Sequence, residues 1–293
     1  MRITLESNGY EVGINTLGAE LKSYKDAAGK EFIWTSDPTY WSSSSPLLFP
    51  SIGNVRNGKT IIEDVEVSMP KHGFCSTSEF TVLSQSKNQV VLALTENENT
   101  KKCFPFDFEV KLTYLLQEAS LYMTYEVNNH DTKEMYYHLG AHPGFLCPLE
   151  ENEVFSDYQL VFEQEETCDS PVYDIPNRCF STTHTKHLLD HSNTIPLRYD
   201  LFDDDAIVFN HMRSNNVKII NPATGKGVQV DYPDFATVAF WTPEHNTAPF
   251  ICVEPWNGAA IYDDEDDIFK HKRDMQFLSA GDSKEYHLKI QIL

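Results

Sequence analysis

No stretch of this chain is apolar for long enough to span a bilayer, and no N-terminal segment joins a basic start to an apolar run. The expectation is a soluble, cytoplasmic protein with no membrane partner. Cations are scarce: 23 Lys and Arg stand against 44 Asp and Glu, giving a formal net charge of -21. That balance repels phosphate backbones and the basic residues form no stripe, so nucleic acid is not an expected partner. Six cysteines (Cys75, Cys103, Cys147, Cys168, Cys179, Cys252) lie far apart without CxxC spacing. They read as reduced thiols, with neither a disulfide framework nor a thiolate zinc site. No GxSxG elbow and no Cys-His motif marks a covalent nucleophile.

Helical periodicity is nearly absent, and what replaces it is alternation. Short runs of apolar and polar residues, broken by turn residues, begin at Ile3-Thr4-Leu5-Glu6 and continue to Glu285–Leu293. Hairpins are expected for Glu79–Ser84 with Val90–Thr95, for Phe108–Leu115 with Leu121–Val127, and for Val217–Asn221 with Gly227–Asp231. Val238–Trp241 and Phe250–Val253 read as central strands buried on both faces. So many strands predict an all-β chain of large, mostly antiparallel sheets packed face to face. With no repeat or linker, residues 1–293 are expected to form one domain. Glu163–Arg198 lacks a period and reads as an insertion over one sheet face, and Asp263–Asp267 reads as a solvated acidic loop.

Chemistry-bearing residues gather where strands break. Glu254 follows the apolar run Phe250-Ile251-Cys252-Val253 and precedes Pro255-Trp256-Asn257-Gly258, which places a carboxylate at the mouth of a sheet. Half-desolvated beside an indole, such a group is tuned toward neutral pH. His72, in Lys71-His72-Gly73-Phe74, and His142, in Ala141-His142-Pro143-Gly144-Phe145, are likewise delivered to rims by Gly and Pro. Two imidazoles and one carboxylate suit proton transfer at a single pH. His184, His187 and His191 have spacings of three and four that would align on a helix, but turn residues surround them and no metal is expected there.

Together, the HGF, GAHPGF and EPW segments resemble the aldose 1-epimerase (galactose mutarotase-like) family, in its bacterial branch. The resemblance covers nearly the whole chain and implies a β-supersandwich. It further implies an isomerase of carbohydrate metabolism that needs no cofactor and takes a monosaccharide substrate, acting as a monomer or homodimer. In that family the glutamate matching Glu254 is the base on the anomeric hydroxyl. The histidine matching His142 protonates the ring oxygen, and the one matching His72 helps polarise it. Asp205, before Ala206-Ile207-Val208-Phe209, matches an aspartate that accepts from sugar hydroxyls. The segment Gly53-Asn54-Val55-Arg56 implies sugar contacts from Asn54 and Arg56, with Asn54 where relatives commonly carry a basic residue. Trp256 is expected to stack on a pyranose face or shield the base, and His138, of the same strand parity as His142, to stand beside the pocket. The expected reaction is interconversion of the anomers of a free hexose such as galactose or glucose. The rivals are a hexose-6-phosphate 1-epimerase, its phosphate held by Arg56, Arg198, Arg213 or lysines, and a sugar-binding protein without catalysis.

Overall fold

Two sheets dominate the structure, a computed structural model that describes residues 1–293. The larger has nine antiparallel strands in the order Cys179–Pro196, Gln159–Asp174, Asn216–Ile220, Gly227–Asp231, Ser283–Ile292, Ser120–Asn129, Phe108–Gln117, Gln89–Thr95 and Thr81–Gln85. Alternation builds its centre: Val110, Leu112 and Tyr114 on one strand and Leu121, Met123 and Tyr125 on the next are buried, while the residues between them are not. The second sheet runs Ile207–Asn210, Thr237–Trp241, Phe250–Asn257, Leu139–Ala141 and Leu47–Leu48, with Gly144–Leu146 also paired to Phe250–Asn257. A three-stranded meander, Arg2–Ser7, Tyr10–Asn15 and Leu21–Lys25, completes the larger pieces. One cluster of 65 buried apolar residues runs from Ile3 to Ile292. The helical pieces are 3-10 turns of three or four residues. The chain is thus all-β in large antiparallel sheets, and no helix is long and apolar enough to cross a membrane. All six cysteines are free.

Three features differ from the sequence expectation. The strand from Phe250 does not stop at Glu254 but continues through Pro255 and Trp256 to Asn257, so Glu254 lies inside a central strand. Pro255 is tolerated because its missing N–H falls on the side where Val253 N–H meets Pro143 O (3.0 Å), next to the break that His142-Pro143 makes in the partner strand.

Glu163–Arg198 is not an aperiodic insertion. It forms most of the two outermost strands of the large sheet, a ribbon of 16 and 18 residues whose register shifts repeatedly. Those bulges, and exposure on both faces, erase the alternation that would have marked it. The ribbon tip returns to the body: Phe180 N–H donates to Ile261 O (2.8 Å) and Asp263 N–H donates to Phe180 O (3.0 Å).

Asp263–Asp267 is solvated at Asp263, Asp264 and Asp266, as expected, but it is also ion-paired, and Glu265 within it is buried at the side chain. Glu265 and Lys272 meet at 2.9 Å with side chains only 7% and 3% exposed, Asp264 takes a two-pronged bond from Arg273, and Asp267 holds Arg56 at 3.0 Å. Composition marked the exposure and missed the pairing, because the partners come from elsewhere in the chain.

Candidate active site

The interruption beside Pro255 builds the site. Gly140 pairs with Trp256 and Gly144 with Cys252, and the same register sets His142 directly opposite Glu254. Residues opposite one another in an antiparallel pair project from the same face. His142 Nε2 accordingly lies 3.2 Å from Glu254 Oε2, both buried. The flanking glycines leave space for tryptophans: a Cβ on Gly140 would come within 2.7 Å of Trp256 Cδ1, and one on Gly144 within 3.1 Å of Trp41 Cζ3.

His72 arrives from a different segment. Phe49, just past the edge strand Leu47–Leu48, pairs with Gly73, and this draws the HGF loop onto the sheet. His72 takes left-handed backbone (φ 62) and is fixed twice by Gly53: its N–H donates to Gly53 O (2.9 Å), and its Nδ1 accepts from Gly53 N–H (3.1 Å). With Nδ1 occupied as an acceptor, the neutral ring carries its proton on Nε2. The His72 and His142 ring centroids are 5.7 Å apart.

A cavity of about 350 Å³ opens over these groups, lined by Glu254, His142, His72, Asp205, Asn54 and Trp256, among others. Such a volume suits one small ligand. Trp41 stacks on His142 at 4.8 Å, and Trp241 meets the same ring edge-on at 5.8 Å. Tyr173 and Phe180, from the ribbon tip, close another wall. Asp205 sits in left-handed backbone (φ 66) just before Ile207–Asn210, a conformation Asp tolerates. Its neighbours are engaged elsewhere, Asp204 with Lys186 (2.8 Å) and Asp203 with His245 (3.1 Å).

Electrostatics oppose charge in this cavity. Burial, followed by the positive charge of Lys71, pushes His142 down to about 3. His72 is lowered by burial, then by Lys71 and His142. Glu254 is raised well above the usual carboxylate range, by burial first and then by the Asp205 charge, with Lys71 opposing. Burial likewise raises Asp205. Burial therefore disfavours the charged form of both partners in the His142–Glu254 contact, which favours a neutral pair.

Two expected site residues stand elsewhere. Arg56 does not line the cavity; its guanidinium is held by Asp267 and by Glu265 O (3.2 Å) on the wall of an adjoining cleft. His138 is fully buried and also off the cavity, its Nε2 bonded to Arg273 O (3.1 Å). Strand parity failed there because His138 separates Met135–Tyr137, paired to Gln276–Leu278, from Leu139–Ala141 in the six-stranded sheet. The His184, His187 and His191 segment is strand, so the helical alignment of the three does not arise: His184 bonds Ser181 and Thr183, while His187 bonds Asp169. Arg198 pairs with Asp200, and Arg213 with Glu165 O and Glu166. Sequence reading missed Lys71, Trp41, Trp241, Tyr173 and Phe180 as wall residues; the position of Lys71 next to His72 was the one available signal.

A supersandwich carrying this cavity defines a galactose mutarotase-like protein. The chain belongs to the aldose 1-epimerase family, whose sequence profile matches residues 1–272. Protein LacX (plasmid) of Lactococcus lactis subsp. lactis is 32% identical over 299 residues, with 100% of each chain covered. Among solved structures, a galactose mutarotase related enzyme from Lactobacillus acidophilus superposes with a TM-score of 0.93 at 29% identity, covering 100% of this chain and 97% of that one. A galactose mutarotase-like protein from Lactobacillus casei does so at 0.91 and 31%, with 100% of both covered.

Proposed function

We propose that this chain is an aldose 1-epimerase that interconverts the α and β anomers of an aldohexose, such as galactose or glucose, by acid-base ring opening. The observation that carries the reading is the 3.2 Å His142–Glu254 contact on the wall of a sugar-sized cavity. Ring opening removes a proton from the anomeric hydroxyl and gives one to the ring oxygen. Those two oxygens share a carbon, so the acid and base that serve them must also be neighbours.

One proton transfer across the contact converts the resting neutral pair into glutamate carboxylate and imidazolium. The carboxylate takes the O1 proton while His142 delivers its own to O5, and the C1–O5 bond breaks to give the open aldehyde. Rotation about C1–C2 and the reverse transfers close the other anomer, leaving the pair's proton count unchanged. His72, with Nε2–H free to donate, supports the ring oxygen. Asp205 and Asn54 receive hydroxyls, and Trp41, Trp241 and Trp256 exclude water and cover the ring. The core cluster spanning Ile3 to Ile292 supports one domain as the working unit.

Polarimetry on freshly dissolved α-galactose and α-glucose tests the reading: the relaxation rate rises in proportion to enzyme concentration. Binding without acceleration would leave a sugar-binding protein and defeat the proposal.

The pair's shared proton also sets a pH dependence. Asp205 repels a second negative charge and so holds that proton on the pair to higher pH. In Asp205→Asn the repulsion is gone, the proton leaves at lower pH, and the alkaline limb of kcat shifts to lower pH. KM rises as well, since an amide offers fewer acceptors to a diol. A pH-rate profile of the variant checks both.

A further inference from the structure

Beside the His142–Glu254 contact stands a third side chain that the proposed reaction does not use. Cys252 lies two residues before Glu254 on the same strand, so its thiol projects from the same sheet face, opposite Gly144 as Glu254 stands opposite His142. Gly144 leaves the thiol its space: a Cβ there would come within 3.4 Å of the Cys252 Sγ. A ring nitrogen of His142, a carboxylate oxygen of Glu254 and this sulfur all lie within 4.8 Å of one another. Cysteine spacing could not show the grouping, because strand register rather than sequence distance assembles it. At the surface, by contrast, His187 and His271 each meet a single aspartate and no thiol.

The geometry points to a Zn2+ site with His142, Cys252 and Glu254 as protein ligands and the cavity on its open fourth side, occupancy of which stops anomer exchange. The site itself stands on the geometry; its effect on turnover rests on the mutarotase reading above. Zinc bonds of about 2.0–2.1 Å at a tetrahedral angle set nitrogen and oxygen ligands about 3.3 Å apart. His142 Nε2 and Glu254 Oε2 are already 3.2 Å apart. The sulfur must close by about 1 Å to reach its bond length of about 2.3 Å, a movement the size of a rotation of about 30° around its Cα–Cβ bond. Charge selects the cation as well. Thiolate and carboxylate cancel two positive charges, so the occupied site is neutral, which suits three buried residues. Mg2+ and Ca2+ take about six or more ligands, chiefly oxygens, whereas imidazole and thiolate suit zinc. The surroundings are apolar: Cys252 clusters with Trp34, Ala248 and Phe250, and Trp41 stacks on the His142 ring. Attraction between cation and ligands strengthens where water is excluded. A cation held there occupies the nitrogen and the carboxylate that would move protons to and from the sugar.

Metal-free protein titrated with Co2+, a spectroscopic stand-in for Zn2+, tests the site, and NMR anomer exchange of glucose with added Zn2+ tests its effect. Wild type develops the strong visible absorption of tetrahedral Co2+ and a thiolate charge-transfer band in the near ultraviolet, and Zn2+ abolishes both. Anomer exchange falls in step with Zn2+ occupancy and returns on adding a chelator. In Cys252→Ser the charge-transfer band is missing, and the Zn2+ concentration that halves the variant's own metal-free rate rises at least about tenfold, since loss of a ligand costs no less than loss of a residue behind one. His187→Gln and His271→Gln change neither readout. Should Cys252→Ser fail to fold, the band in wild type decides alone. Absence of that band, or equal Zn2+ sensitivity in wild type and Cys252→Ser, puts the cation on surface side chains and overturns the inference while leaving the mutarotase reading standing. Thiolate-bound Co2+ with exchange untouched by Zn2+ overturns it too. A thiolate band in a protein that exchanges no anomers even without metal upholds the site and sinks the mutarotase.

Discussion

Glu254→Gln lowers kcat for anomer exchange by about 10²–10⁴-fold, the range that a positioned proton-transfer group contributes. Glutamine fills the same space, so the strand Phe250–Asn257 and the cavity survive and sugar still binds. What disappears is the shared proton, because an amide neither accepts one from the anomeric hydroxyl nor returns one to His142. His142→Asn produces a loss of similar size, and the double variant is barely worse than either single one. Groups that act as a unit through a 3.2 Å contact give non-additive losses. A loss near the product of the two single losses would show that each acts alone on the sugar, contrary to a proton passed between them.

Glu265→Gln destabilises the fold by about 3–5 kcal/mol, the cost of leaving a buried cation without its partner. Lys272 is 3% exposed at the side chain, its ammonium lies 2.9 Å from Glu265, and burial already lowers its pKa. Glu265 also accepts from Tyr262 N–H (3.1 Å), and its carbonyl receives Arg56. The damage therefore reaches the wall that Ala260 and Ile261 contribute to the cavity. Urea denaturation reads the loss as a lower midpoint at unchanged slope. Adding Lys272→Met recovers part of the stability, because the orphaned charge is gone. A shift below about 1 kcal/mol would mean that Lys272 reaches water when unpaired.

Sheets, hairpins and the three central segments were legible in the sequence for a shared reason: each is written in local chemistry. Alternation over Phe108–Gln117 marks a half-buried strand, and Pro143, Gly73 and Pro255 mark places where a ladder breaks. What sequence spacing lacks is register. That His142 faces Glu254 follows from pairs at Gly140 and Gly144 that no local pattern specifies, and the same pairing explains how Pro255 fits inside a strand. His138 shows the converse: even spacing implied a shared face with His142, but the chain changes sheets between them. Arg56 was misplaced because its partner, Asp267, lies 211 residues away, and the pairing of the acidic loop was hidden by its composition. The ribbon is bulged, its register shifting just before Tyr173, and carried no period, so Tyr173 and Phe180 could not be read as cavity walls.

Magnetisation transfer between the two anomeric protons of a hexose or hexose phosphate at equilibrium observes the proposed step without a coupled enzyme. With wild-type protein, irradiating the α resonance depletes the β resonance at a rate proportional to protein concentration, and neither Glu254→Gln nor His142→Asn does so above buffer. If wild type exchanges the anomers no faster than buffer while sugar shifts the protein's own resonances, the His142–Glu254 pair is a binding contact and not a proton relay.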